Sequence, residues 1–125
     1  MATSFQTPAP ELTFREQQEA RRRHEISYET TVAIQELPSS HIAWEATSAA
    51  VLVTATDMDV LGEWLYVMKG SVTTVDLPSG QTVWTLHTTT WSDSPNFPPV
   101  PVHVTVVLPS DEPVMHEIRA AVRAA

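Results

Sequence analysis

Five histidines are the residues of this chain best suited to chemistry near neutral pH, where an imidazole can move a proton or hold a metal. His24 lies in a charged stretch, His41 begins an expected strand, and His116 falls in the first turns of an expected helix. No two of the five stand one helical turn apart, the spacing by which a helix presents paired metal ligands. His87 and His103 differ from the rest, because both fall on the less apolar faces of strands that could be neighbours. Two imidazoles and a carboxylate could bind a metal there. Two ordinary histidines on a sheet surface are the simpler expectation, so no metal, cofactor or catalytic residue is assigned.

Other chemistries find less support. The chain has no cysteine, which excludes disulfides, thiolate zinc sites and a cysteine nucleophile. Three glycines are too few for a phosphate-cradling loop, and no Gly-x-Ser-x-Gly elbow occurs. Asp57 and Asp59 could pose as paired carboxylates, but they precede an apolar helix, where capping is the simpler role. Arg21-Arg22-Arg23 is bracketed by Glu16, Glu19 and Glu25 and reads as a solvated helical face. Trp91 precedes a proline-rich loop and Phe97 lies within it, and the two could present an aromatic surface to a partner. The alternative is that both tuck back onto the sheet.

The elements that must position these residues centre on 50–91. Residues Ala50–Ala55 read as an apolar strand, Asp57–Lys69 as a capped helix, and Ser71–Leu77 with Gln81–Trp91 as a hairpin. In the helix, Val60, Leu61, Trp64, Leu65 and Met68 form one apolar stripe. Met58, Tyr66 and Val67 lie off that stripe, so this helix is expected to be covered on a second side, by another helix or a second subunit. Gly70 suits a left-handed residue after the helix. If Pro78-Ser79-Gly80 is a three-residue loop, Val75 faces Val83, Thr74 faces Trp84 and Val72 faces Leu86. Alternation then sends Val72, Trp84 and Leu86 to the helix, and Val75, Val83, Thr85 and His87 to the other face.

The flanks follow. Residues 1–25 are expected to be a flexible or partly helical arm, with a capping box at Thr13-Phe14-Arg15-Glu16. Ile26, Tyr28, Thr30, Val32 and Ile34 alternate with more polar residues and predict a strand with one buried face. Ile42, Trp44 and Ala46 predict a second strand, with a short helix over 40–50 as the rival. Ser92–Pro101 holds four of the ten prolines and is expected to be a loop. Val102, Val104, Val106 and Leu108 line one face of a last strand, and Ser110-Asp111-Glu112-Pro113 opens a terminal helix. The fold expected is α+β: a mainly antiparallel twisted sheet of five to six strands with two principal helices on one face, in the order ββ(β)αβββα. Residues 26–125 would form its single domain.

At 125 residues the chain can bury one core, and its net charge of −8 argues against nonspecific nucleic-acid binding. No apolar run reaches membrane-spanning length and no signal peptide is recognised, so a cytoplasmic protein is expected. The strand–Asp–helix–Gly–three-strand order from Val51 to Leu108 resembles the βαβββ module of the vicinal oxygen chelate proteins. That resemblance implies two modules forming a cup, and in metal-binding members histidine and glutamate ligands on the strands. The strand before the helix carries no histidine here. The first expectation for function is a non-enzymatic protein-interaction or regulatory accessory protein acting as a homodimer, with a possible further protein partner. Its possible partner or ligand surface is Trp91, Phe97, His87 and His103, and its dimer or second-layer residues are Met58, Tyr66 and Val67. The alternatives are a small-ligand-binding or metal-dependent enzyme built on such a cup, and a structural or accessory protein of a mobile element.

Overall fold

The computed structural model describes residues 12–92 and 95–123. Its elements run α1 (Phe14–Gln35), β1 (Ile42–Ala46), β2 (Val51–Ala55), α2 (Met58–Met68), β3 (Ser71–Asp76), β4 (Gln81–Thr89), β5 (Pro101–Pro109) and α3 (His116–Ala120). The fold is α+β. One open sheet has the strand order β1-β2-β5-β4-β3, antiparallel except where β2 meets β5. The last strand in sequence is therefore the middle strand of the sheet.

The strand expected over 26–34 is instead the second half of α1, which runs unbroken through residue 25. A boundary between arm and domain at that point falls inside a helix. The capping box expected at Thr13 is present: Thr13 Oγ1 accepts from the Glu16 amide, and Glu16 Oε1 accepts from the Thr13 amide. Ala20, Tyr28 and Thr31 are the buried residues of α1, at helical rather than two-residue spacing, while Ile26 and Ile34 are exposed. The helix stops where Glu36 turns left-handed and the Leu37 amide returns to the Val32 carbonyl at 3.1 Å. Leu37 then buries its side chain, as the hydrophobic partner of such a stop does. Leu12 and Phe14 at the start of the helix remain exposed, and residues 1–11 lie outside the described range.

The remaining elements form near the expected positions. Asp57 caps α2 by accepting from the Asp59 amide at 2.9 Å. Gly80 takes φ +86° in the β3–β4 turn, where its amide donates to the Leu77 carbonyl at 3.1 Å. The hairpin register is the expected one, with Val75 opposite Val83, Thr74 opposite Trp84 and Val72 opposite Leu86. Residues 42–46 form a strand, not a helix, and Thr47 closes its hairpin with β2 by accepting from the Ala49 and Ala50 amides. The terminal helix is shorter than Ser110 to Pro113 implied. Ser110 shares its hydroxyl with Thr82 at 2.8 Å, and α3 begins only at His116 with no side-chain cap. The two long helices are therefore α1 and α2.

All three helices lie on one face. Val51, Val53, Val72, Leu86, Val102, Val104 and Val106 meet Leu61, Trp64 and Ile118 in a single core. Tyr28 of α1 joins it through its ring, 5.9 Å from Trp64 and 4.4 Å from Trp44. Met58 and Val67 pack at the margin of this core within one chain. Tyr66 stays 76% exposed, with the Lys69 ammonium 5.2 Å from its ring centre. The second side of α2 is partly met by α3 and the residue before it, since Ile118 and Met115 approach Gly62. No described helix is long and apolar enough to cross a membrane.

Candidate functional site

The opposite face of the sheet has no helix over it among the described residues, and the pairing registers fix what it displays. One row across the strands is Ser71, His87, His103, Leu52 and Glu45. The next is Thr73, Thr85, Thr105 and Thr54, four threonines side by side on four adjacent strands. A third is Val75, Val83 and Val107. Glu45, on the edge strand β1, is the one formally charged residue that the five strands point to this side. Leu52 and Val107 are each more than two-fifths exposed here, at 45% and 41%. Each of these side chains has a partner at the same level on the next strand, so the face is a flat array of β-branched, apolar and imidazole groups.

Within that array, His87 and His103 are brought directly together. They sit opposite each other on β4 and β5, with ring centres 5.0 Å apart and the rings nearly edge to face. Their Nδ1 atoms are separated by 3.1 Å. His87 Nε2 lies 2.8 Å from the Thr73 hydroxyl, which reaches it diagonally from β3. Partial burial and then the neighbouring His87 hold the His103 imidazole below its ordinary pKa, favouring the neutral ring. Backbone packing also fixes the pair. Gly70 takes φ +130°, and a Cβ there would collide with the His87 carbonyl oxygen. Gly70 thus allows the start of β3 to pass close against β4. The positive φ expected there is shared with Lys69, at +64°.

Trp91 and Phe97 are elsewhere. They line shallow pockets between α1 and the proline-rich loop, one of about 250 Å³ with Ile26, Ser27 and Thr30. The second, of about 280 Å³, lies beside it and includes His24, Phe97 and Val100. Phe97 is 70% exposed, whereas the Trp91 amide donates to Thr31 Oγ1 at 3.0 Å. These two aromatics and the two histidines do not form one surface. Thr31 is the residue that sequence reasoning missed. It is fully buried, donates to the Ser27 carbonyl at 2.8 Å and holds the loop to α1. The two-residue alternation over 26–34 masks its helical phase with Ala20 and Tyr28.

Other candidates resolve simply. Arg21 and Arg22 approach Glu25 at 3.8 and 3.3 Å on an exposed helical face. His24 Nδ1 lies 2.7 Å from the Thr47 carbonyl and ties α1 to the β1–β2 turn. An open groove of about 710 Å³ runs between α2 and α3, lined by Leu65, Tyr66, Lys69, Met115 and others. The βαβββ order from β2 to β5 is present, and β2 contributes Leu52 and Thr54 to the helix-free face but no histidine. No protein-family model, curated protein or solved structure matches the chain, so its function is to be read from this face and the groups set on it.

Proposed function

We propose that this chain is a non-enzymatic, cytoplasmic protein-interaction or regulatory accessory protein that works as a homodimer, joined through the helix-free face of its sheet. The observation that carries this reading is the composition of that face. In a chain with 22 Asp, Glu, Lys and Arg residues, the five strands direct only Glu45 to it, at the edge. A face left in water usually alternates charge into its outward positions, whereas a covered one cannot accommodate unpaired charge. With ~3.4 Å per residue and ~4.8 Å between strands, the sheet spans roughly 500–600 Å² in projection. Side-chain relief raises the accessible area towards the ~800 Å² per partner of a standard stable interface.

A second copy is the occupant that fits. Two such faces are free of the like-charge repulsion that a net charge of −8 sets up over the rest of the surface. Threonine and valine rows are flat enough to pack sheet on sheet at ~10 Å. The groove between α2 and α3 then remains available, with Tyr66 as an aromatic anchor for a further protein.

The test is the solution mass of wild type and of Val107→Arg across a dilution series. The expected result is a wild-type dimer that the substitution converts to monomer, with the circular dichroism spectrum unchanged. A wild-type monomer at all concentrations overturns the reading. So does a dimer indifferent to Val107→Arg, which would place the contact at the α2–α3 groove or the β1 edge.

A further inference from the structure

We propose that His87 and His103 form a clamp for a divalent transition-metal ion of the zinc class, shared between two copies of the chain across this face. The proposal rests on the face-to-face dimer and deepens it by naming a ligand for the same surface.

The geometry begins with the two Nδ1 atoms, 3.1 Å apart on paired strands. Two imidazoles on a tetrahedral zinc, each at ~2.0–2.1 Å, place their nitrogens ~3.3–3.4 Å from each other. The rings therefore need to part by a few tenths of an ångström and to tilt by about 35° each, so that both lone pairs converge on one ion. In the metal-free chain one Nδ1 donates to the other, so a lone pair already points into the gap between the rings. Thr73 supplies the outer support, since its hydroxyl oxygen can accept the Nε2 proton of His87 across the 2.8 Å contact. With the hydroxyl as acceptor, that bond accompanies the tautomer with a free Nδ1 and orients the ring, which is how a metal-binding histidine is usually held. On binding, His103 moves its Nδ1 proton to Nε2 through solvent. Both rings stay neutral and no net proton is released.

One chain does not complete the site. No third His, Cys, Asp or Glu among the described residues joins these two as a metal-holding group. Closed structural zinc sites want four ligands. His103 lies on β5, the central strand, one outward position from Thr105 at its middle. A dyad through this region brings the second pair opposite the first. Sheets stacked ~10 Å apart put their midplane ~5 Å above each, within reach of an imidazole from either side. Four imidazoles would then surround one ion, favouring Zn²⁺, Cu²⁺ or Ni²⁺ over Mg²⁺ and Ca²⁺, which prefer oxygen ligands.

The experiment strips the full chain with chelator, then adds Zn²⁺ or Co²⁺ alone while following metal content and solution mass together. The expected result is one ion per two chains, visible bands of tetrahedral cobalt, and loss of both in His87→Ala and in His103→Ala. Both histidines are only partly buried, and circular dichroism on each variant checks that it folds. A chelated dimer that takes up no stoichiometric metal overturns the clamp and leaves the dimer standing. One ion per chain without dimerisation overturns the shared site and the dimer together, as does a monomer that binds nothing. Metal retained in both variants places it elsewhere and overturns the assignment to these histidines.

Discussion

Tyr28 is buried up to its hydroxyl, and neither that oxygen nor the Trp64 indole N–H meets a partner among the described residues. Its ring fills the gap between Trp44 and Trp64, while burial pushes the phenol pKa up to about 12. An unpaired buried hydroxyl costs desolvation that its ring packing does not need. Tyr28→Phe keeps the ring and is expected to raise stability by about 1 kcal/mol in urea melts. A loss of that size would mean that an ordered water satisfies the oxygen. At His103 the relevant quantity is pH. Its folded pKa lies below the unfolded value near 6.5, so the unfolded chain binds the extra proton first. Stability is expected to fall as pH drops from about 6.5 towards the lower folded value, with the contribution fully present above that window. In metal-free protein, thermal melts should show this slope in wild type and a shallower one in His103→Ala.

At the scale of elements, Thr31 is where helix and loop depend on each other. Its hydroxyl donates to Ser27 and accepts from the Trp91 amide, and the side chain has no exposure. Thr31→Val preserves shape but leaves a loop amide without its partner, for an expected loss of about 1–3 kcal/mol in urea melts. Tryptic cleavage after Arg23 and changes in Trp91 fluorescence would show whether loop and helix loosen together. This region also marks the limit of what the residues alone convey. The β3–β4 hairpin was legible down to register because Pro78 and Gly80 leave few turn geometries and the strands alternate cleanly. Residues 26–34 misled because β-branched and aromatic side chains coincide with a two-residue rhythm. The signal that overrides it is the capping box at Thr13 followed by a run without glycine or proline until Pro38, with Ala20, Tyr28 and Thr31 in helical phase. Likewise the faces of His87 and His103 were legible, but their contact was not. Their meeting requires β4 beside β5, and strand order depends on pairings distant in sequence.

For the molecule as a whole, the two faces of the sheet do different work. One binds the chain into a single core; the other carries almost no charge and ranges imidazole, hydroxyl and methyl groups in level rows. The mass shift expected of Val107→Arg belongs to this scale, since Val107 points away from the core and its change leaves folding to the other face. The placement of β5 has a separate consequence for synthesis. β1 with β2 and β3 with β4 are local hairpins, but neither pair hydrogen-bonds to the other except through a strand that begins at Pro101. During translation, α1, α2 and both hairpins are all made before the strand that completes the sheet beneath the helices, so part of their apolar surface waits for it. Until β5 pairs, the nascent chain therefore shows apolar surface that the folded protein keeps covered.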